Sequence, residues 1–365
     1  MPRLALIAWF TLSATALAAL AHARETERVL LITMDGLRWQ ELFGGADRSL
    51  INENDGGIRD PAQTLDRFWR ENPEARRSAL MPFFWSTIAR EGQVFGDPSA
   101  ASTVTVANGH YFSYPGYNEI LTGYGDPRID SNDKIPNPNV TVLEWLHGRP
   151  GYHGRVFAFA SWDVFPFIIN DRRSGIPVNA GWQPLAGSAD DAERDLLNQL
   201  ADELPHYWAN VRYDAFTYRG AADCLARNRP RVLYVSLGET DDWAHARRYD
   251  LYLAAAWQND DFLRRLWEAA QSLPEYRGKT SLVLTTDHGR GGSGKDWTSH
   301  GRDIPGSDRM WIAVLGPDTP SLGIRKNQNA TQGQVAATVA ALLGEDYHTA
   351  APQSAPPLDG VIAQP

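Results

Sequence analysis

Cysteine is nearly absent: Cys224 is the only one in 365 residues. That excludes an intrachain disulfide and any zinc cluster built on thiolates, since both need several cysteines. Positive charge is scarce too. Lys and Arg number 35 against 44 Asp and Glu, a formal net charge of −9 at pH 7. A chain this acidic has no electrostatic footprint for nucleic acid or for an anionic membrane surface. Any anionic substrate must be neutralised locally. Long apolar runs are missing apart from residues 4–20, which follow Arg3 and lead into Ala21-His22-Ala23. A short apolar run before small residues is a secretory signal, so residues 1–23 read as a signal peptide cleaved before Arg24. The expectation is an exported protein, periplasmic or extracellular, with no membrane anchor after cleavage.

What remains is globular in composition, with 43% hydrophobic and 22% charged residues. Five apolar runs, at 29–33, 155–159, 231–237, 281–286 and 310–315, are nearly continuous. Such runs fit strands of a parallel sheet covered on both faces. Helical spacing lies between them: Leu80, Phe84 and Ile88; Phe262, Leu266 and Ala270; Val335, Val339 and Leu343. Strands alternating with helices predict an α/β fold with right-handed crossovers. The Gly-rich stretches 44–61 and 290–299 read as loops. One domain is expected over 24–350, and the Pro- and Ala-rich residues 351–365 read as a flexible tail.

Chemistry-bearing residues collect where the runs end, and in open α/β sheets ligands bind at the carboxyl ends of strands. The first run leads into Asp35-Gly36. The third is followed by Asp241 and His245, four apart and so on one face of a helical turn. The fourth ends in Asp287-His288-Gly289, two adjacent metal-type ligands after a buried strand. His300 follows the second Gly-rich loop. Taken singly, Asp35 could cap a turn, Asp241 and His245 could be a solvated pair, and His300 could lie on the surface. Together they are three carboxylates and three imidazoles, enough for two divalent ions with oxygen and nitrogen ligands.

Between these blocks lie Ser113-Tyr114-Pro115 and Thr122-Gly123. With them the chain resembles the alkaline phosphatase superfamily, most closely its nucleotide pyrophosphatase/phosphodiesterase branch. The matching blocks run in family order from Val29 to Gly301. The resemblance implies an alkaline-phosphatase-like fold, a central and mostly parallel sheet sandwiched between helices. It implies that Asp241, His245 and His300 hold one ion, and that Asp35, Ser113, Asp287 and His288 hold the other. The ions would be zinc, as is usual in the superfamily, or manganese. Ser113 would be the catalytic nucleophile of a phosphodiesterase or phosphomonoesterase acting on a small-molecule phosphate ester through a phosphoserine.

Gly116 stands where that branch commonly carries Asn. The contact to a non-bridging phosphate oxygen therefore falls to Asn132, with Asn118 and Asn137 as alternatives. Arg38 is a second substrate-binding candidate, and Lys295 a further one. Trp39, Trp162 and Trp243 could line a pocket for a base or a sugar, or pack in the core. A sulfatase is the nearest rival, but Tyr117 stands where the sulfatase motif Cys/Ser-x-Pro-x-Arg requires Arg. A phosphoglycerate mutase would need an additional transferase domain. A metal-binding module without turnover is the alternative from another class.

Overall fold

The computed structural model describes residues 24–186, 191–292 and 294–363; the expected signal peptide lies outside them. The described residues contain eleven strands: β1 (Arg28–Met34), β2 (Gln93–Phe95), β3 (Thr103–Thr105), β4 (Val156–Ala160), β5 (Val178–Ala180), β6 (Val232–Leu237), β7 (Thr280–Thr285), β8 (Arg309–Met310), β9 (Ile312–Leu315), β10 (Gly323–Ile324) and β11 (Asn329–Thr331). Eight form one sheet in the order β10-β2-β9-β7-β1-β6-β4-β5, and β11-β3-β8 form a small second sheet. From β7 to β5 every neighbour pair is parallel.

Alternation along β1 shows why near-continuous apolar strands were needed. Leu30 and Ile32 join a core on one face of the sheet, while Val29 and Leu31 join a second core on the other. All four are at most 2% exposed, and each contributes about 1.5–3 kcal/mol on burial. The helices Asp214–Arg227 and Tyr249–Ser272 cover the first face. Phe262, Leu266 and Ala270 point into it at the expected spacing, as does Cys224, whose thiol burial pushes up to about 12. Gln334–Leu342 and Ser113–Thr122 cover the second face. Among the described residues, no helix is long and apolar enough to cross a membrane.

Two expectations are corrected. The run 310–315 is not one parallel strand: Met310 belongs to the small sheet, and β9 runs antiparallel to β7. The described part of the expected tail, 351–363, is packed rather than loose. Leu358 and Val361 are buried in the second core, Leu358 N–H donates to Thr338 Oγ1 at 2.9 Å, and Ala363 N–H donates to the Asp318 carbonyl at 2.9 Å.

Candidate active site

Three neighbouring parallel strands, β7, β1 and β6, end side by side. Adjacent strands lie about 4.8 Å apart, so residues just past their ends converge without long loops. Asp35 follows β1, Asp241 lies in the helix Glu239–His245 after β6, and Asp287 and His288 follow β7. Gly36, at φ +59°, makes the convergence feasible. A Cβ there would come within 2.6 Å of Asp241 Oδ1, and the Gly36 N–H instead donates to Asp287 Oδ1 at 3.0 Å.

The fourth contributor is the helix Ser113–Thr122, every residue of which is buried. Gly116 lets it dock, because a Cβ there would sit 2.4 Å from the Asp287 carbonyl oxygen. Sequence reasoning took Gly116 as a lost substrate contact; its role in the structure is this close backbone approach. Gly116→Ala is therefore expected to displace the first turn carrying Ser113. Overpacking of this kind costs about 1–3 kcal/mol, measurable by denaturant unfolding, with loss of any turnover that depends on Ser113.

All seven residues expected as ligands lie at this junction. Ser113 Oγ is 3.4 Å from His288 Nε2. That nitrogen is 3.5 Å from Asp35 Oδ1 and 3.4 Å from Asp287 Oδ2. Asp35, Asp287 and His288 offer ligand atoms within 4.8 Å of one another, and so do Asp241, His288 and His300. His245, at the half-exposed rim, has Nε2 3.1 Å from Asp241 Oδ2 and 3.0 Å from His300 Nε2.

Two observations fit this group to divalent cations. Asp35 Oδ1 and Asp287 Oδ2 are buried and have no hydrogen-bond partner, a cost that a bound ion would remove. The imidazoles are also turned for coordination. His288 Nδ1 donates to the Gly289 carbonyl at 2.9 Å, and His300 Nδ1 donates to the Tyr111 carbonyl at 3.2 Å. Each bond leaves Nε2 as the free lone pair, the usual outer contact of a metal-binding histidine.

The electrostatics agree. Burial, then the neighbouring Asp287 and Asp241 carboxylates, push the Asp35 carboxyl well above the usual range. Burial and His288 push the His300 imidazole well below its usual value, so it is neutral and able to ligate. Asp241 goes the other way: burial opposes ionisation, but Arg290 and then His245 hold its carboxyl well below the usual range.

The centre opens into a cleft of about 410 Å³ whose lining includes Ser113, Asn132, Lys134, Trp162, Asp242 and His300. Asn132 Oδ1 accepts from Tyr114 N–H at 3.0 Å, which fixes that side chain beside Ser113. Trp162 is a wall residue, as one alternative allowed, whereas Trp39 and Trp243 pack against the first core. Asn118 and Asn137 do not face the cleft. They bond to each other, Asn137 Nδ2 to Asn118 Oδ1 at 3.1 Å, in a buried network. Lys295 is exposed and outside the lining.

Arg38 is neither a substrate contact nor a surface residue. It is fully buried, paired with Glu41 and donating to the Gly291 carbonyl at 2.8 Å. Tyr249 OH also donates to Glu41, at 2.8 Å. Arg38→Leu would strand the Glu41 carboxylate, so a loss of about 3–5 kcal/mol is expected on chemical denaturation.

Sequence reasoning missed two residues. Tyr117 OH donates to Asp35 Oδ2 at 2.8 Å, orienting the carboxylate; its position one helical turn after Ser113 was the available signal. Arg290 contacts Asp241, and nothing in a Gly-rich loop marked it for burial.

No protein-family model and no curated protein matches the sequence. Solved structures do match. The alkaline phosphatase PafA superposes with a TM-score of 0.59 at 12% identity, covering 93% of this chain and 100% of that one. A 2-O GAG sulfatase gives 0.51 at 13% identity, covering 88% and 71%. The lipoteichoic acid synthase LtaP from Listeria monocytogenes gives 0.51 at 12% identity, covering 89% and 74%. These likenesses do not single out the phosphodiesterase branch. The chain has the alkaline phosphatase fold, shared by phosphatases and sulfatases alike.

Proposed function

We propose that the chain is an exported, metal-dependent hydrolase of phosphate esters with Ser113 as its nucleophile. One observation carries this reading. Two unpartnered carboxylate oxygens, Asp35 Oδ1 and Asp287 Oδ2, converge with Ser113 Oγ around His288 Nε2 at the base of an open cleft. Asp35, Ser113, Asp287 and His288 would hold one divalent ion, zinc or manganese, and Asp241, His245 and His300 the second. When bound, such ions supply Lewis-acid stabilisation of developing negative charge and ionise nucleophiles near neutral pH.

The chain's own groups do the rest. Ser113 opens a ten-residue helix, whose N-terminal dipole favours negative charge on its hydroxyl. Asn132 stands beside it to receive a non-bridging phosphate oxygen. Tyr117 and the Gly36 N–H fix the two carboxylates. Attack by Ser113 Oγ on phosphorus would release the alcohol and leave a phosphoserine, which water then cleaves to regenerate the hydroxyl. Export rests on the signal-like residues 1–23.

The test is turnover of p-nitrophenyl phosphate, bis-p-nitrophenyl phosphate and p-nitrophenyl sulfate, with and without chelator. Chelator-sensitive hydrolysis of a phosphate ester is expected. Preference for the sulfate would favour the sulfatase reading. No turnover with ions bound would favour a binding module.

A further inference from the structure

The two halves of the centre are unequal. Around Asp35 and Asp287, carboxylate oxygens stand buried and unpartnered. Around Asp241 a cation is already present. Arg290 is fully buried. Its Nε donates to the Trp297 carbonyl at 3.0 Å and its Nη2 to the Thr298 carbonyl at 2.6 Å, while Nη1 pairs with Asp241 Oδ1. Three of its donors are thus spent on fixed partners, so the guanidinium is held in place. Gly36 keeps room for the pair, since a Cβ there would meet Asp241 Oδ1 at 2.6 Å and Arg290 Nη1 at 3.0 Å.

Arg290 also reaches the second proposed ligand of that half. Its Nη2 lies 3.5 Å from His245 Nδ1. The other ring nitrogen, Nε2, faces Asp241 Oδ2 at 3.1 Å and His300 Nε2 at 3.0 Å. Both proposed ligands, Asp241 and His245, thus have the guanidinium at their side. An ion entering this half must displace that arrangement and sit close to a fixed positive charge.

We infer that Arg290, by pairing with Asp241 and lying beside His245, weakens one of the two cation positions. The Asp35–Asp287–His288 half holds an ion tightly, and the Asp241–His245–His300 half binds a second one at least tenfold more weakly. This rests on reading the junction as a metal centre. Its test is the binding isotherm rather than activity. Full-length protein stripped with chelator is titrated with zinc in a calorimeter, with a competing chelator to resolve tight binding. Two steps separated by at least about tenfold in affinity are expected. In Arg290→Gln the weaker step is expected to tighten by at least about tenfold, and in Arg290→Lys it stays as in the unaltered protein.

Arg290 is buried, so its variants are first compared with the unaltered protein by near-ultraviolet circular dichroism. Two further variants keep the test open if Arg290→Gln fails to fold: His245→Ala is expected to leave the tight step unchanged, and Asp287→Asn to remove it. Two equal tight steps in the unaltered protein, a folded Arg290→Gln with an unchanged isotherm, or loss of the tight step in His245→Ala would overturn the inference. No zinc bound at any concentration would instead sink the metal reading beneath it.

Discussion

Ser113→Ala is expected to lower kcat/KM for phosphate ester hydrolysis by at least about a thousandfold, close to 4 kcal/mol of transition-state stabilisation. The nearby phenol of Tyr117 is no substitute, because it is committed to Asp35 Oδ2 at 2.8 Å. Ser113 opens its helix, and Oγ is 3.4 Å from His288 Nε2. The other hydroxyls of that helix are engaged: Tyr114 with the Ile135 carbonyl, Tyr117 with Asp35 Oδ2, and Thr122 at the far end with the Asn118 and Tyr124 carbonyls, at 2.7 and 3.0 Å. Removing one oxygen atom takes no apolar packing away, so the unfolding midpoint should stay close to that of the unaltered protein. Zinc content should persist as well, because Asp35, Asp287 and His288 remain. Activity loss with the fold and metal content retained separates a nucleophile from a structural turn serine. Equal activity in the variant, measured on the same ester at saturating zinc, would remove Ser113 from the mechanism.

Asp287→Asn should show the second large effect, and its sign depends on the ion. In the ion-free protein Asp35 and Asp287 crowd together in a buried site, and each carboxyl is raised, chiefly by burial. Raised carboxyls hold protons in the folded state that the unfolded chain releases. Stability of the chelator-treated protein should therefore fall as pH climbs above the ordinary carboxylate range. Neutralising one carboxylate relieves this repulsion, so Asp287→Asn in chelator should be at least as stable as the unaltered protein near pH 7.5. Adding zinc should reverse the order. At about a thousandfold excess over Kd, a site binding only the folded state adds about 4 kcal/mol. The unaltered protein gains this, and Asp287→Asn does not. Denaturant unfolding with chelator and with zinc gives the four values needed. A variant that gains as much from zinc as the unaltered protein would show that Asp287 is no ligand.

The parts legible in the sequence are those written in short-range pattern. β1, β4, β6 and β7 stand at near-continuous apolar runs, and three of them lead straight into the acids and histidines of the centre. The order that sets β1 between β6 and β7 is not written in that pattern; the convergence of Asp35, Asp241 and Asp287 was legible from their places at strand ends together with the family resemblance. Strand direction at the sheet's edge could not. β9 differs from the parallel strands only through the path of the chain before it, where Met310 leaves for another sheet. The tail was misread because Pro and Ala dominate its composition, while its anchors in the second core, Ala351, Leu358 and Val361 with Ile362 packed against it, are few.

Charged side chains were the hardest to place. Arg38 and Arg290 sit in or beside loops and would ordinarily be solvated. Both are buried because acceptors surround them: nearby Glu41 and the distant Gly291 carbonyl for Arg38, and distant Asp241 with the Trp297 and Thr298 carbonyls of its own loop for Arg290. The Gly291, Trp297 and Thr298 carbonyls come from the segment after β7, whose Trp297 is itself fully buried. Apart from the i,i+3 spacing of Arg38 and Glu41, no local spacing records these partners.

Crystals grown with zinc and measured on both sides of its absorption edge test the central claim directly. The account expects an anomalous peak enclosed by Asp35, Asp287, His288 and the Ser113 oxygen. No peak there at saturating zinc, or zinc bound only elsewhere with Ser113 facing away from it, would contradict it.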